Sequence, residues 1–352
     1  MTIEAPKKRR KPVTFRDVAK HAGVSTGTVS RALSKPEKVA PETLERVKAA
    51  IKELRMVVNV TARTFKTQKS QTLLVMAGDI GNPFTGEVIR GAVLRANELG
   101  YSVILAEEGA DNVEETIFGY FESRRIDGLA FLWGDSDVGE IYASLTETLD
   151  NPAVVGVRQG LTKPPCPHVT LDNEAAAYRI ATQALGLGHR NVAIISSEPL
   201  TEHVAARVAG FKRALSEVGL DTVPSGHLTS ELSADCARGV SSRILELTPA
   251  PTLILTSNDL LAAGILAGLR DHLIDSRSIS VTGFDDLPLV DYLSPSLTTV
   301  HQPRHLIGYT AIDLLVRLIR GPSNVPRSIE LDMPVVIRDS VSAPSSPLSV
   351  TG

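Results

Sequence analysis

The chain has 352 residues, 43% of them hydrophobic and 22% charged, with a formal net charge of −3. At roughly 150 residues per domain there is room for two or three domains, each with a full core, and the composition is that of a soluble globular protein rather than a disordered or fibrous one. No apolar run approaches the ~18 residues of a membrane span, no hydrophobic segment follows the basic run Lys7–Lys11 as a signal peptide requires, and the two cysteines, Cys166 and Cys236, make neither a disulfide framework nor a metal-ligand spacing. Membrane, secreted and disulfide-stapled classes drop out, and a cytoplasmic protein with no membrane partner is expected.

The small net charge conceals an asymmetry. Residues 1–70 hold 17 Lys+Arg against 6 Asp+Glu, a balance of +11, whereas the rest holds 20 against 34, a balance of −14. A small basic module is joined to a large acidic body, which points to a polyanionic partner for the N-terminal part. A merely solvated basic face would give the same numbers, so charge alone does not decide.

Three helical patterns open the chain. The first covers Phe15–Ala22, with Thr14 as N-cap and Val18 and Ala19 as apolar positions, and Gly23 stops it. The second starts behind Ser25 as N-cap, turns Val29, Ala32 and Leu33 inward, and breaks at Ser34-Lys35-Pro36. The third runs Pro41–Leu54, with Pro41 at the first helical position and Leu44, Val47, Ala50, Ile51 and Leu54 on one face. Residues 55–70 form a polar connector with a short helix at Asn59–Lys66.

From Thr72 the pattern becomes strand–helix alternation. Leu73–Ala77, Ser102–Leu105, Gly128–Leu132, Val154–Val157, Val192–Ser196, Leu253–Thr256 and Ser280–Thr282 read as buried strands. Glu87–Leu99, Glu174–Gly186, Ala205–Val218, Cys236–Leu247 and Leu260–Leu269 are among the helical stretches between them. Repeated β–α units imply parallel, doubly wound sheets. The stretch 151–173 carries four prolines near the middle, so two such subdomains are expected. The tail after Ser342 reads as disordered.

Two short helices separated by Gly23-Val24 have the spacing of a helix-turn-helix, with Val18, Ala19, Val24 and Val29 available for its core. The second helix shows Ser25, Thr26, Gly27, Thr28 and Arg31 on its leading, outer positions. Short hydroxyls reach phosphates or base edges, Arg31 forks onto guanine or clamps phosphate, and the helix N-terminus itself favours a phosphate. Gly23-Val24-Ser25-Thr26-Gly27 also fits G-x-S-x-G, but a nucleophile elbow needs a strand leading in, and here a helix leads in. The basic run before residue 13 is either an arm touching phosphates or a solvated tail.

In the body, open α/β sheets bind ligands beyond the carboxyl ends of their strands. Those ends supply Asp79 with Asn82-Pro83-Phe84, Leu132-Trp133, Asp172, Asn258-Asp259 and Asp285-Asp286, and Arg207 lies near the start of the helix after 192–196. Carboxylates, an amide and a guanidinium with Phe and Trp suit a sugar-like ligand, or a nucleoside or purine. Asp79 and Asp259 can equally serve as helix caps, Trp133 as core, and His189 as a helix end. No His-Glu-x-x-His, P-loop or G-x-G-x-x-G is present, and neither cysteine sits in a nucleophile setting, so neither a cofactor nor a metal nor enzymatic activity is expected.

The run Val13–Leu33, followed by Pro41–Val47, resembles the DNA-binding head of the LacI/GalR family of bacterial regulators. The connector is similar to that family's hinge helix, with Asn59, Ala62, Arg63, Thr64 and Lys66 in the pattern. Phe65 stands where the minor-groove wedge is normally Leu, Val58 replaces the usual proline, and Arg55-Met56 replaces a Gly-Tyr pair. In the body, Asp172–Ala175, Leu187–Arg190, Ala206–Phe211, Ser257–Asp259, Gly283–Asp286 and Ser294–Val300 look like the family's effector domain, which is related to periplasmic sugar-binding proteins.

The resemblance implies an all-α helix-turn-helix head on an α/β body like a periplasmic binding protein, built of two doubly wound parallel-sheet subdomains. It divides the chain into a disordered basic arm at 1–12, a DNA-binding domain at 13–58, a hinge at 59–70, an effector-binding and dimerisation domain at 71–340 and a disordered tail at 341–352. The N-subdomain spans about 71–170 and 300–326, the C-subdomain about 171–299 and 327–340. DNA contacts are implied for Thr14, Ser25, Thr26, Gly27, Thr28, Arg31, Asn59, Arg63, Phe65 and Lys66. Effector contacts are implied for Arg207 and Asp285, with Asn258, Phe84 and Trp133 lining the cleft and Asp172 beside them. The function expected is a homodimeric repressor on a palindromic duplex operator, switched by a small molecule such as a sugar or sugar derivative and nucleoid-associated when bound. The other readings are an exported-type solute-binding protein or an α/β enzyme carrying an accessory basic head.

Overall fold

Local capping sets the first helix. Thr14 Oγ1 accepts from the Asp17 N–H at 3.4 Å, while the Asp17 carboxylate accepts from the Thr14 N–H at 2.8 Å, so two otherwise unsatisfied donors at the start of α1 (Phe15–Ala22) are bonded reciprocally. These bonds hold the Asp17 carboxyl below its ordinary pKa. Gly23 then takes φ 64°, a left-handed conformation that residues with side chains rarely adopt, and turns the chain. Helix α2 (Thr26–Ser34) begins behind Ser25, whose Oγ accepts from the Thr28 N–H at 3.0 Å. A 3₁₀ turn at Pro36–Lys38 leads into α3 (Pro41–Glu53), with Pro41 in its first turn.

The computed structural model describes residues 13–34, 36–54, 56, 69–107, 113–132, 138–159, 164–224, 226–275, 278–321 and 325–344. The chain separates into two compact units, residues 1–68 and 69–352. The first unit is the three-helix head, whose core is Val18, Ala19, Ala22, Val29, Ala32, Val47, Ala50 and Met56, with Val24 partly buried against it. His21 reaches Glu53 at 2.7 Å and ties α1 to α3. The basic arm before residue 13 and the segment Asn59–Lys66 lie outside the described residues.

The second unit alternates strands and helices: β1 (Thr72–Ala77), α4 (Pro83–Glu98), β2 (Ser102–Glu107), α5 (Val113–Glu122), β3 (Gly128–Phe131), α6 (Val138–Thr148), β4 (Val154–Arg158), β5 (His168–Thr170), α7 (Asn173–Gly186), β6 (Val192–Glu198), α8 (Glu202–Glu217), β7 (His227–Glu231), α9 (Ala234–Leu245), β8 (Leu253–Thr256), α10 (Asp259–Asp271), β9 (Ser280–Thr282), β10 (Thr299–Val300), α11 (Arg304–Arg320), β11 (Ser328–Glu330) and β12 (Val335–Val336). Two parallel sheets result. The first lobe carries six strands in the order β11-β5-β4-β3-β1-β2, the second four in the order β7-β6-β8-β9. Strands β10 and β12 pair antiparallel, so the chain passes between the lobes three times: after β5, after β10 and after β11. Among the described residues no helix is long and apolar enough to cross a membrane.

Helices α4 and α11 cover one face of the first sheet at backbone contact. A Cβ on Gly91 would collide with the His305 carbonyl oxygen, and one on Gly308 with the Val88 carbonyl oxygen. The Arg95 guanidinium then locks the pair, donating from Nε to Asp313 at 3.0 Å while lying 4.8 Å from the Tyr309 ring centroid.

Two boundaries differ from the sequence expectation. Ser328–Glu330 pairs with β5, so the first lobe extends to residue 330, and the second lobe's last segment does not begin at 327. The chain also stays docked past residue 341: the buried His189 bonds the Ser342 carbonyl at 2.8 Å and Thr252 Oγ1 at 3.0 Å, and Ser280 Oγ donates to the same carbonyl. Burial pushes the His189 pKa down, favouring the neutral ring that such a contact uses.

Candidate functional site

On the head, Ser25, Thr26, Gly27 and Arg31 are exposed and Thr28 is half-buried, so the first turn of α2 presents short polar groups to solvent with Arg31 one turn on. Ser25 Oγ and Thr28 Oγ1 lie 2.9 Å apart, which fixes both hydroxyls at the helix N-terminus. Thr14 is exposed, but its hydroxyl is engaged in the cap of α1. Arg46 on α3 donates to the Gly23 carbonyl at 3.4 Å and braces the turn. Asn59, Arg63, Phe65 and Lys66 lie outside the described residues.

In the body, the carboxyl ends of both sheets converge on a cleft. Arg207 projects from the second turn of α8 and is 3% exposed. Its Nε donates to Asn173 Oδ1 at 2.9 Å, and its Nη1 donates to the Ser257 carbonyl at 2.6 Å and lies 3.2 Å from Asp285 Oδ1. The Phe284 ring backs the guanidinium, 3.9 Å from centroid to Cζ. Gln302 Nε2 donates to the same Asp285 oxygen at 2.6 Å. A buried ion pair is sustainable when further hydrogen bonds compensate the lost hydration, and this one has them.

The Asp285-Asp286 turn is strained, with φ 115° and 56°. Left-handed backbone at residues with side chains costs on the order of 1–3 kcal/mol each and persists where surroundings enforce it. Here the Asp285 N–H donates to Val300 at 3.0 Å, and Asp286 accepts from His301 Nδ1 and Arg338 Nη2, each at 2.8 Å. Burial works against the Asp286 charge, but His301 and Arg338 hold its carboxyl below the ordinary pKa.

Asp259 behaves oppositely. It is fully buried, accepts from Thr299 Oγ1 at 2.6 Å and from the Leu287 N–H at 2.7 Å, and is pushed well above the usual carboxylate range by burial and by the charge of Asp285. Burial raises Asp285 too, with Arg207 and Gln302 opposing. The site thus sets an Arg207–Asp285 ion pair beside a carboxyl, Asp259, whose charged form burial and Asp285 disfavour.

A cavity of about 140 Å³ opens between the lobes, lined by Asp79, Asn82 and Thr85 on one side and Ser197, Glu198, Pro199, Thr201, His203 and Leu232 on the other. Phe84 is 2% exposed in the first turn of α4, behind this wall. Asn258 caps α10, its Oδ1 accepting from the Leu261 N–H at 2.9 Å. Asp172 is exposed and caps α7 through the Ala175 N–H at 2.9 Å. Trp133 lies outside the described residues. Asn173, Ser257 and Phe284, which hold Arg207 and Asp285 in place, fell within the stretches that resemble the effector domain but were not named as site residues, and Gln302, which does the same, was not singled out. Asn173, Ser257 and Phe284 each sit beside a residue that was named, and adjacency to a strand end was the available signal.

Comparison with known proteins gives this architecture its relatives. A model of the bacterial regulatory proteins of the lacI family matches residues 14–59, and a periplasmic binding protein-like domain model matches residues 181–341. The chain is 30% identical over 339 residues to the HTH-type transcriptional repressor CytR of Escherichia coli (strain K12), covering 96% of this chain and 98% of that protein. The chain belongs to the LacI family of bacterial regulatory proteins. Its head is a DNA-binding domain, its body an effector-binding domain, and it is a transcriptional regulator. The HTH-type transcriptional repressor PurR of Vibrio parahaemolyticus is likewise 30% identical, over 93% of this chain and 98% of that one. Among solved structures, the lac repressor dimer bound to operator and the anti-inducer ONPF superposes with a TM-score of 0.82 at 26% identity, covering 95% of this chain and 100% of that chain. A complex of the transcriptional regulator CelR with cellobiose gives 0.68 at 25% identity, covering 93% and 99%. The named LacI-family relatives are repressors, not enzymes.

Proposed function

We propose that this LacI-family chain is a cytoplasmic repressor that acts as a homodimer on a near-palindromic operator and is released from or recruited to it by a sugar or sugar derivative. Ser25, Thr26, Gly27, Thr28 and Arg31 would read the major groove, Thr14 would adjoin a phosphate, and Asn59, Arg63, Phe65 and Lys66 would enter the minor groove, Phe65 as wedge. Arg207, Asp285 and Asn258, with Phe84, Trp133 and Asp172 around them, would hold the effector. The reading rests above all on the Arg207–Asp285 pair, sealed at 3.2 Å among strand ends and backed by an aromatic ring. A fork of donors beside a carboxylate takes vicinal hydroxyls, and a ring face takes a sugar's apolar side. The likeness to a repressor dimer on its operator and to a cellobiose-bound regulator supports the partners.

Mechanistically, an effector between the lobes favours the arrangement in which both lobes touch it. A differential affinity of the effector for the two arrangements worth about 1–3 kcal/mol suffices to switch DNA binding. Dimeric heads match a two-fold operator because protein symmetry is mirrored in the DNA.

Selection from random duplexes followed by anisotropy titration tests this. Palindromic sites should be enriched, with affinity falling against log salt at about −0.9 per phosphate neutralised. Arg31→Ala should weaken the selected site by roughly 1–3 kcal/mol and leave sugar affinity intact. Equal affinity for selected and random duplexes, with or without ribose, galactose or cellobiose, would overturn the reading.

A further inference from the structure

The body begins at Lys69, and its next two residues are tied down before any strand starts. Asp127, immediately ahead of β3, accepts on Oδ1 from the Ser70 N–H at 2.7 Å and the Ser70 hydroxyl at 2.9 Å, and on Oδ2 from the Gln71 N–H at 2.9 Å. The Ser70 hydroxyl oxygen also accepts from the Thr72 N–H at 3.1 Å. Backbone closes the joint on either side: the Asp127 N–H donates to the Thr72 carbonyl and the Ser102 N–H to the Gln71 carbonyl, each at 2.8 Å. Ser70 is 6% exposed, and Gln71 is held at φ 52°, left-handed backbone that a residue with a side chain keeps where its surroundings enforce it. The first residues of a domain are ordinarily loose unless something fastens them. Here the adjoining parallel strands β1, β2 and β3 all converge on one point of the chain, at their amino ends and so at the end of the sheet away from the cleft.

We infer that Asp127 is a positioning residue for DNA binding: its carboxylate fixes where and in which direction the connector leaves the body, and so how a pair of heads is presented to an operator. The inference goes beyond the function proposed above and rests on it for the dimer. One head needs only its own half-site. The second then binds as an intramolecular event, at an effective concentration set by the reach and stiffness of what joins the two heads. A joint pinned at Ser70 and Gln71 confines the directions the connector can take. A joint free to turn spreads the second head over more of them and lowers that concentration. A carboxylate suits the task because it accepts on both oxygens, from Ser70 on one and Gln71 on the other. An asparagine of the same shape has a single acceptor oxygen and would turn its NH₂ toward one of those donors.

Asp127→Asn, Asp127→Ala and Ser70→Ala in the full chain test this, against the palindromic duplex selected above and a duplex carrying one of its halves beside scrambled sequence. Anisotropy titration gives the ratio of the two affinities. Partial unfolding removes active protein and weakens both duplexes alike, so the ratio reports the joint and not stability. Wild type should prefer the palindrome, and both Asp127 variants should lose about tenfold of that preference with half-site affinity unchanged, Ser70→Ala losing less. Trypsin cleavage after Lys69, read by mass spectrometry at a temperature where calorimetry shows every protein folded, should be faster in the Asp127 variants, because the Ser70 N–H is no longer held. A ratio unchanged in both Asp127 variants would overturn the inference, as would equal cleavage. A loss of the same factor on both duplexes would make Asp127 a structural support and overturn it too. If wild type itself binds palindrome and half-site equally, the dimer reading falls and the inference with it, whereas a preference shared by wild type and variants strikes the inference alone.

Discussion

Replacing Arg207 with Met would remove the guanidinium while keeping much of its volume. Asp285 would be left buried without its cation, and Asn173 Oδ1 and the Ser257 carbonyl without their donor. Breaking a buried pair from one side costs about 3–5 kcal/mol. At about 2–4 °C per kcal/mol, the body should melt roughly 6–20 °C lower at pH 7.5. Asp285 has an escape, because burial already raises its pKa and Arg207 is the principal opposing charge. In the variant the folded state holds a proton on Asp285 that the unfolded chain has released, so stability falls as pH rises through that interval. The deficit should accordingly be smaller at pH 5 than at pH 7.5, and Asp285→Asn in the same chain should recover part of it at the higher pH. Calorimetric melting of wild type and the two variants at both pH values measures all of this. A single variant melting with wild type, or a deficit of equal size at the two pH values, would refute the reasoning.

Two further outcomes follow from the packing. Burial and the charge of Asp285 raise the Asp259 pKa in the folded state, so it withdraws stability as pH rises from about 3.9 through that raised pKa; Asp259→Asn should flatten the urea-midpoint profile relative to wild type over pH 4–8, and parallel profiles would count against it. Gly308→Ala drives a methyl into the Val88 carbonyl and must part α4 from α11, so urea unfolding should show a loss of about 1–3 kcal/mol, and an unchanged midpoint would show that the helices have room.

What could be read from the sequence was whatever is written locally. The Thr14 cap, the Gly23 turn and Pro41 at a helix start involve residues within four positions of one another, and the helices appear where they indicate. Strands buried on both faces announce themselves as apolar runs, as Leu73–Ala77 and Leu253–Thr256 do. The segments that were not recognised lack that signal. His168–Thr170, His227–Glu231 and Ser328–Glu330 carry polar or charged residues, and Ser328–Glu330 becomes a strand because β5, some 160 residues earlier, offers it an edge. The same holds at the cleft. Arg207 and Asp285 drew notice by residue type and by lying at strand ends, and they meet at 3.2 Å. Asn173 and Ser257 lay in the resembling stretches without a role, Gln302 is an ordinary polar residue in a sequence, and the part each plays comes from burial that only the assembled fold confers.

The order in which the parts come off the ribosome is also settled by the topology. Among the described residues, the buried core of the head lies between Val18 and Met56. The first lobe needs Arg304–Arg320 and Ser328–Glu330 to complete its sheet and cover it, and the second takes its closing contacts from Arg338–Ser342. During synthesis at about 5–20 residues per second the head is therefore finished many seconds before either sensing lobe can close. A message truncated anywhere before the codon for Ser328 would yield an intact DNA reader attached to an unfinished sensor, and proteolytic clearance of such fragments becomes part of keeping the switch obedient to its signal.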